Sequence, residues 1–126
     1  MTPRSGGFSL VNKTRFTVGN IPFKKIKDVV LGPRYDLSVA LVGPKESRAI
    51  TRQSKCKDKV SNVLSFPLSD SSGEIILCPA AAKEGLGYLF IHGLLHIKGH
   101  RHGVTMEHAE ERLLKQFHIC KKQSLG

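Results

Sequence analysis

Cysteine, tryptophan and long apolar runs are scarce in this sequence of 126 residues. Its three cysteines, Cys56, Cys78 and Cys120, include no C-x-x-C pair, so we predict free thiols rather than a disulfide framework or a cysteine zinc cluster. No run approaches the roughly 18 apolar residues that cross a bilayer, and the first residues lack the apolar core of a signal peptide. We therefore expect a soluble, cytoplasmic protein that has no membrane partner.

Acidic residues are also few. The chain has 10 aspartates and glutamates against 20 lysines and arginines, which gives a formal net charge of +10. Such a surface attracts polyanions, and nucleic acid is the obvious candidate. Because many small proteins are basic for reasons of solubility alone, the charge needs a second signal before it identifies a partner.

Hydrophobic periodicity predicts four strands and four helices within a single domain, 1–126, whose first seven residues are loose. Leu37, Val39 and Leu41 alternate with small or polar residues, which predicts a strand over 35–42. Only five residues join the predicted strands 61–68 and 74–78, so these two strands should be antiparallel neighbours. The other predicted elements are an edge strand at 8–11 and helices at 21–31, 45–53, 82–98 and from an N-cap at Thr105 onwards.

Four of the six histidines lie within eleven residues, 92–102. On a helix, His92 and His96 project from one face, one turn apart, where two ring nitrogens can meet one metal ion. A third histidine on the same straight helix, at i+8, would lie about 12 Å along the axis from the first, too far to share that ion. Gly99 is suited to end the helix and turn the chain back, so that His100 or His102 can complete a three-histidine site. Neutral imidazoles favour zinc, with nickel and copper as alternatives.

The pattern differs from the H-E-x-x-H signature of zinc proteases, because Gly93 stands where that signature has its catalytic glutamate. A three-histidine zinc site keeps its full charge, leaves one position for water and can lower the pKa of that water to about 7. Its positive charge would draw in an anionic substrate such as a phosphodiester. Lys55 or Lys57, in a predicted polar loop at 54–59, could neutralise charge on the phosphate oxygens.

Two segments resemble the YbeY-type endoribonuclease family, the ribosomal-RNA maturation factors. Residues 92–102 read H-G-L-L-H-I-K-G-H-R-H, similar to the family signature H-G-x-L-H-L-x-G-Y-D-H, and 61–67 read S-N-V-L-S-F-P, similar to T-N/D-V-L-S-F-P. The likeness extends over about 35–117. It departs from the family where His100-Arg101 replaces the Tyr-Asp pair, and where Lys55 replaces an arginine.

The resemblance implies a small α+β domain, with a sheet of about four mixed strands and a central metal-bearing helix. It further implies a zinc-dependent, single-strand-specific endoribonuclease that matures ribosomal RNA, with one zinc ion per chain bound by His92, His96 and His102. In that arrangement Lys55 positions phosphate and Ser65 adds a polar contact. The implied partners are single-stranded RNA, ribosomal RNA above all, and ribosomal subunit proteins.

Two other functions remain open from the sequence. One is a non-catalytic, ribosome-associated RNA-binding protein whose metal is structural and closed by a fourth ligand, His100. The other is a zinc hydrolase acting on peptides or small molecules. The missing glutamate and the basic charge both disfavour this second alternative.

Overall fold

A mixed four-stranded sheet forms the centre of the computed structural model, which describes residues 7–101 and 103–121. The predicted loose segment therefore lies outside the described residues, except for Gly7. The strand order is β1-β2-β4-β3; β2 is parallel to β1 and to β4, whereas β3 is antiparallel to β4. The strands are β1 Phe8–Asn12, β2 Asp36–Leu41, β3 Val63–Ser69 and β4 Ser72–Leu77.

The edge position of β3 follows from its sequence. Pro67 has no backbone N–H to donate to a ladder, and the register of β3 against β4 shifts between Pro67 and Ser69. A strand with these features is suited to the edge of a sheet, where one side makes no backbone hydrogen bonds to another strand. β3 has β4 as its single neighbour in the sheet. The edge of the sheet that β3 forms is where the candidate site lies.

Helices cover both faces of the sheet. The core on one face joins α1 and α3 to the inward residues of β2, among them Leu37 and Val39. On the other face Ile50 of α2 packs against a smaller cluster that includes Leu64 and Ile76. The four helices are α1 Phe23–Leu31, α2 Pro44–Lys55, α3 Leu86–Ile97 and α4 Val104–Gln116, with a short 3-10 helix at Pro79–Ala81.

Helix α3 is the central helix of the domain. It contacts β3, β4, α1 and α4, and it buries apolar side chains around much of its circumference. The predicted α+β class, the four-stranded mixed sheet and the antiparallel β3–β4 pair are confirmed. Within the described residues, no helix is both long and apolar enough to cross a membrane.

Two predicted helix starts were wrong. Helix α3 begins at Leu86 rather than at 82, because Gly85, at a φ of 101°, has a backbone conformation that does not continue a helix. Helix α4 begins at Val104 after Gly103, so Thr105 lies inside the helix instead of capping it.

The predictions for α2 also need correction. Lys55 is the last residue of α2 and not part of a loop, because the helix continues to Cys56, whose φ of 55° ends it. Ala49 of α2 is exposed. The buried face of α2 carries Ser47 and Thr51, whose hydroxyls donate hydrogen bonds to backbone or side-chain oxygens at distances of 2.7–2.8 Å.

Candidate metal and substrate site

Helix α3 places His92 and His96 one turn apart with their rings in contact. Their Nε2 atoms lie 3.0 Å apart, and the ring planes meet at 79°. This is the juxtaposition that the i,i+4 spacing predicts. The apolar residues between and around the two histidines, such as Leu94 and Leu95, anchor the helix in the core, so the pair is held on a buried element.

The Nδ1 atom of each ring faces an oxygen acceptor. His92 Nδ1 lies 2.7 Å from Glu110 Oε2, and His96 Nδ1 lies 3.2 Å from the carbonyl oxygen of His100. A carbonyl oxygen or a carboxylate can only accept, so each Nδ1 is the donor and carries a hydrogen. In the neutral rings both Nε2 atoms, which lie 3.0 Å apart, therefore carry lone pairs.

A cation between those nitrogens removes their repulsion. Zinc binds imidazole nitrogen at about 2.0–2.1 Å, so two tetrahedral ligands lie about 3.3 Å apart, close to the 3.0 Å between the two Nε2 atoms. The second nitrogen of a metal-binding histidine commonly donates to a carboxylate or a carbonyl, as both do in this site. The donor set therefore fits zinc.

A cavity of about 430 Å³ opens beside the histidine pair. It is lined by His92 and His96 from α3, by Ser65 and Asn62 on or next to β3, and by Lys55 at the end of α2. An adjoining cavity of about 480 Å³ carries Lys55, Lys57, Lys59 and Asn62. Together the two cavities form a groove along the first half of β3, with histidines at one end and lysines at the other. Its charge suits an anionic ligand.

Ser65 and Gly93 mark the place where β3 and α3 come closest. The Ser65 hydroxyl donates to the Gly93 carbonyl oxygen at 3.1 Å. A Cβ on Gly93 would lie 2.9 Å from Ser65 Oγ and 3.3 Å from side-chain atoms of Val63 and Ile75. Gly93 therefore allows the helix to approach the edge strand, in addition to replacing the glutamate of the protease signature.

Four of the five predicted site residues line one cavity: Lys55, Ser65, His92 and His96. The fifth, His102, lies outside the described residues. His100 lines a different cavity, between α1, α3 and α4, and contributes its backbone carbonyl to His96. Within residues 7–101 and 103–121, no three side chains of the usual ligand types converge on one point.

The sequence analysis missed Asn62 and Glu110. Glu110 is 7% exposed and lies on α4 between the buried residues Met106 and Leu113. That position is a usable signal, because a carboxylate on the apolar stripe of a helix needs a partner. Asn62 carries no such signal, since an asparagine before a strand is ordinary turn chemistry.

Glu110 also affects Tyr88, one turn before His92 on α3. Burial, together with the negative charge of Glu110 and a hydrogen bond to it, raises the pKa of Tyr88 to about 12. The tyrosine is therefore protonated at neutral pH. A pocket of about 310 Å³ on this side of His92 is lined by three carboxylates, Glu107, Glu110 and Glu111.

Comparison with known proteins identifies relatives that match most of this chain. The family model described as "Endoribonuclease YbeY" matches residues 23–122. A protein of that name from Chromohalobacter salexigens is 35% identical over 109 residues, which cover 68% of this chain and 71% of the relative. Another, from Nitrosomonas eutropha, is 29% identical over 121 residues, 78% of this chain and 86% of the relative.

A third relative of the same name, from Rubrobacter xylanophilus, is 39% identical over 79 residues, 60% of this chain. The match spans 58% of that relative, less than two thirds of its length. The solution structure of a Thermotoga maritima protein has the same fold, with a TM-score of 0.63 at 20% identity over 87% of this chain and 88% of the other. Because the family model matches residues 23–122 of this chain, the chain belongs to the YbeY family.

Proposed function

We propose that this protein is a zinc-dependent, single-strand-specific endoribonuclease that takes part in ribosomal RNA maturation. The observation that supports this most is the His92–His96 pair, whose Nε2 atoms lie 3.0 Å apart beside a lysine-lined groove. The reaction class comes from the relatives, which carry the name endoribonuclease.

One zinc ion per chain is held by His92, His96 and, from the family signature, His102. Bound zinc supplies Lewis-acid activation of water and of the scissile phosphate. The chain itself fixes the geometry of the first two ligands, because Glu110 and the His100 carbonyl hold their Nδ1 atoms. The spacing of the two Nε2 atoms, 3.0 Å, is close to the spacing that a shared zinc ion would require.

Lys55 is the residue we assign to the scissile phosphate. It lines both halves of the groove and shares one cavity with His92 and His96. Its charge opposes the negative charge that develops on the phosphate oxygens. Lys57 and Lys59 extend the positive wall toward the next phosphates of a bound strand.

Ser65 contributes a polar surface rather than a nucleophile. Its hydroxyl hydrogen is donated to the Gly93 carbonyl, which leaves the oxygen able to accept a hydrogen bond, for example from a ribose hydroxyl. A groove at a sheet edge with a cavity of about 430 Å³ suits a single strand whose backbone bends into it better than two paired strands.

The ribosomal target comes from the family resemblance. We propose ribosomal RNA as the substrate, a cytoplasmic location and contacts with ribosomal subunit proteins during cleavage. The net charge of +10 supports association with RNA in general and does not select a particular RNA.

The test is cleavage of single-stranded RNA by the wild type and by His92→Ala, each with a chelator and with zinc added back. We expect the wild type to lose activity with the chelator and to regain it with zinc, and His92→Ala to stay inactive. His108→Ala is the matched control, since His108 is an exposed histidine of α4 that does not line the groove. Equal cleavage by the wild type and His92→Ala would refute the assignment.

The rival function, an RNA-binding protein with a closed structural metal site, requires His100 as a fourth ligand. His100 lines another cavity, which favours an open site instead. The absorption spectrum of the cobalt-substituted protein separates the two: an open site responds to added anions, and His100→Ala leaves the spectrum unchanged. A spectrum that changes in His100→Ala and ignores anions would favour the structural role.

A further inference from the structure

We propose that Glu110 is the positioning residue of the metal site, and that its carboxylate holds the His92 ring in the tautomer and orientation that bind zinc. This inference rests on the zinc site proposed above. It assigns a role to a residue of α4, a helix that supplies none of the predicted ligands within the described residues.

The contact between Glu110 and His92 is short and sheltered from water. Glu110 Oε2 lies 2.7 Å from His92 Nδ1, a distance typical of a charge-assisted hydrogen bond. The side chains are 9% and 16% exposed, respectively. Because the two residues lie on different helices, the packing of α4 on α3 determines the direction from which the carboxylate meets the ring.

Burial of Glu110 makes this contact specific. A carboxylate removed from water is costly unless it is paired and hydrogen-bonded. In the part of the chain that the structure describes, the ion-pair contact of Glu110 is with His92, while Lys121 at the same pocket lies over the Tyr88 ring, 4.7 Å from its centroid. The carboxylate of Glu110 therefore contacts the His92 imidazole in addition to its hydrogen bond with Tyr88.

Donation of Nδ1–H to the carboxylate has two effects on the opposite nitrogen. It keeps the lone pair on Nε2, the atom that faces His96, and it makes that nitrogen a better electron-pair donor to a metal ion. His96 donates to a neutral carbonyl at the longer distance of 3.2 Å. The two ligands are therefore unequal, and His92 should be the stronger one.

A purely structural role for Glu110, as a link between α3 and α4, predicts different behaviour. Glutamine has the same shape, and its amide oxygen can accept from Nδ1, but it carries no charge. A structural link would survive Glu110→Gln with little change in zinc affinity. A positioning carboxylate would not, because the negative charge that strengthens Nε2 is lost.

The experiment is the zinc dissociation constant, measured by competition with a chromophoric chelator, for the wild type, Glu110→Gln and Glu110→Ala. We expect zinc to bind about 10–100-fold more weakly to Glu110→Ala, with Glu110→Gln intermediate. Glu111→Gln, an exposed neighbour at the same pocket, is the control and should match the wild type. If Glu110→Ala does not fold, Glu110→Gln alone decides the question.

Nitrogen-15 NMR of the His92 ring in zinc-free protein gives a second readout. The wild type should have its hydrogen on Nδ1, and Glu110→Gln should shift toward a mixture of tautomers. Unchanged zinc affinity in the Glu110 variants, in a wild type that cleaves RNA, would overturn the role of Glu110 alone. A wild type that cleaves no RNA, while its Glu110 variants lose zinc affinity, would refute the proposed function and leave this inference standing.

Discussion

The two sides of the His92 ring differ in charge. On the Nε2 side lies the groove with Lys55, and on the Nδ1 side lies the pocket lined by Glu107, Glu110 and Glu111. This carboxylate pocket, which Lys121 also lines, contrasts with the net charge of +10 on the whole chain. The difference suggests a division of roles, in which the acidic side strengthens the metal ligand and the basic side receives an anionic substrate. A phosphate should approach from the basic side.

Removal of His96 should have the largest effect, because the roles proposed for both sides depend on the proposed zinc ion. His96→Ala leaves the remaining histidine of the pair without its neighbour on α3, so we expect zinc content to fall from about one ion per chain to near zero. Metal analysis of the purified protein measures this, and His108→Ala serves as the control. Full zinc stoichiometry in His96→Ala would contradict the site.

Removal of the positive charge of Lys55 from the basic side should weaken the binding and cleavage of RNA and leave zinc binding intact. A charge-assisted hydrogen bond contributes about 1.5–3 kcal/mol, so Lys55→Ala should lower kcat/KM for RNA about ten- to hundredfold. The salt dependence of RNA binding should also become less steep, by about 0.7 in the logarithmic slope. Lys25→Ala, at an exposed position on α1, is the control. Reduced zinc affinity in Lys55→Ala would show that the two sides are not separate.

The close contact of α3 with β3 can be tested through Gly93. In an exposed helix, glycine to alanine stabilises by about 1 kcal/mol, but at this position the added Cβ would lie 2.9 Å from Ser65 Oγ. We expect Gly93→Ala to destabilise the fold by about 1–3 kcal/mol in urea unfolding. The double variant with Ser65→Ala should recover part of that loss, and a stabilised Gly93→Ala would show that the helix has room to move.

The smallest expected effect concerns the segment that carries Lys57 and Lys59. Hydrogen bonds from Arg48, which has the larger effect, and from Arg52 hold the pKa of the Asp58 carboxyl well below its usual range. The pKa of Asp58 is lower in the folded protein than in the unfolded chain. Its ion pairs therefore stabilise the fold above the unfolded pKa of about 3.9, and this stabilisation is lost as the pH falls below that value. Asp58 and its two arginine partners are exposed, so their ion pairs contribute little to the stability of the fold, and salt screens that contribution.

Thermal unfolding of zinc-free wild type and Asp58→Asn, at low salt, measures this contribution. The difference in Tm between the two proteins should be small at pH 7 and smaller still at pH 3. An equal difference at both pH values would mean that the ion pairs do not tie this segment to α2.

Much of the site could be predicted from the sequence because its signals are local. The i,i+4 spacing of His92 and His96 places two rings on one side of a helix wherever that helix packs, and the alternation in 35–42 defines β2 in the same way. Glu110 could not be paired with His92 from sequence, since the contact depends on how α4 crosses α3.

Helix ends and buried polar faces were harder to predict for a physical reason. Helix α2 ends at Cys56 in a left-handed conformation that glycine or asparagine would normally signal, so Lys55 was assigned to a loop. Lys27 is 1% exposed, with its Nζ 3.0 Å from Asp28 Oδ1 and 3.3 Å from the Pro33 carbonyl oxygen. These partners are near in sequence, but the burial of the side chain depends on tertiary packing, which local patterns do not encode.

The most direct test of the central claim is the zinc-edge X-ray absorption spectrum of the zinc-loaded wild-type protein. If His92 and His96 hold the ion, the spectrum will show nitrogen ligands at about 2.0–2.1 Å with the multiple scattering of imidazole rings. A sulfur shell at about 2.3 Å, which would mean ligation by a cysteine, or an oxygen shell without imidazole scattering, would contradict the account.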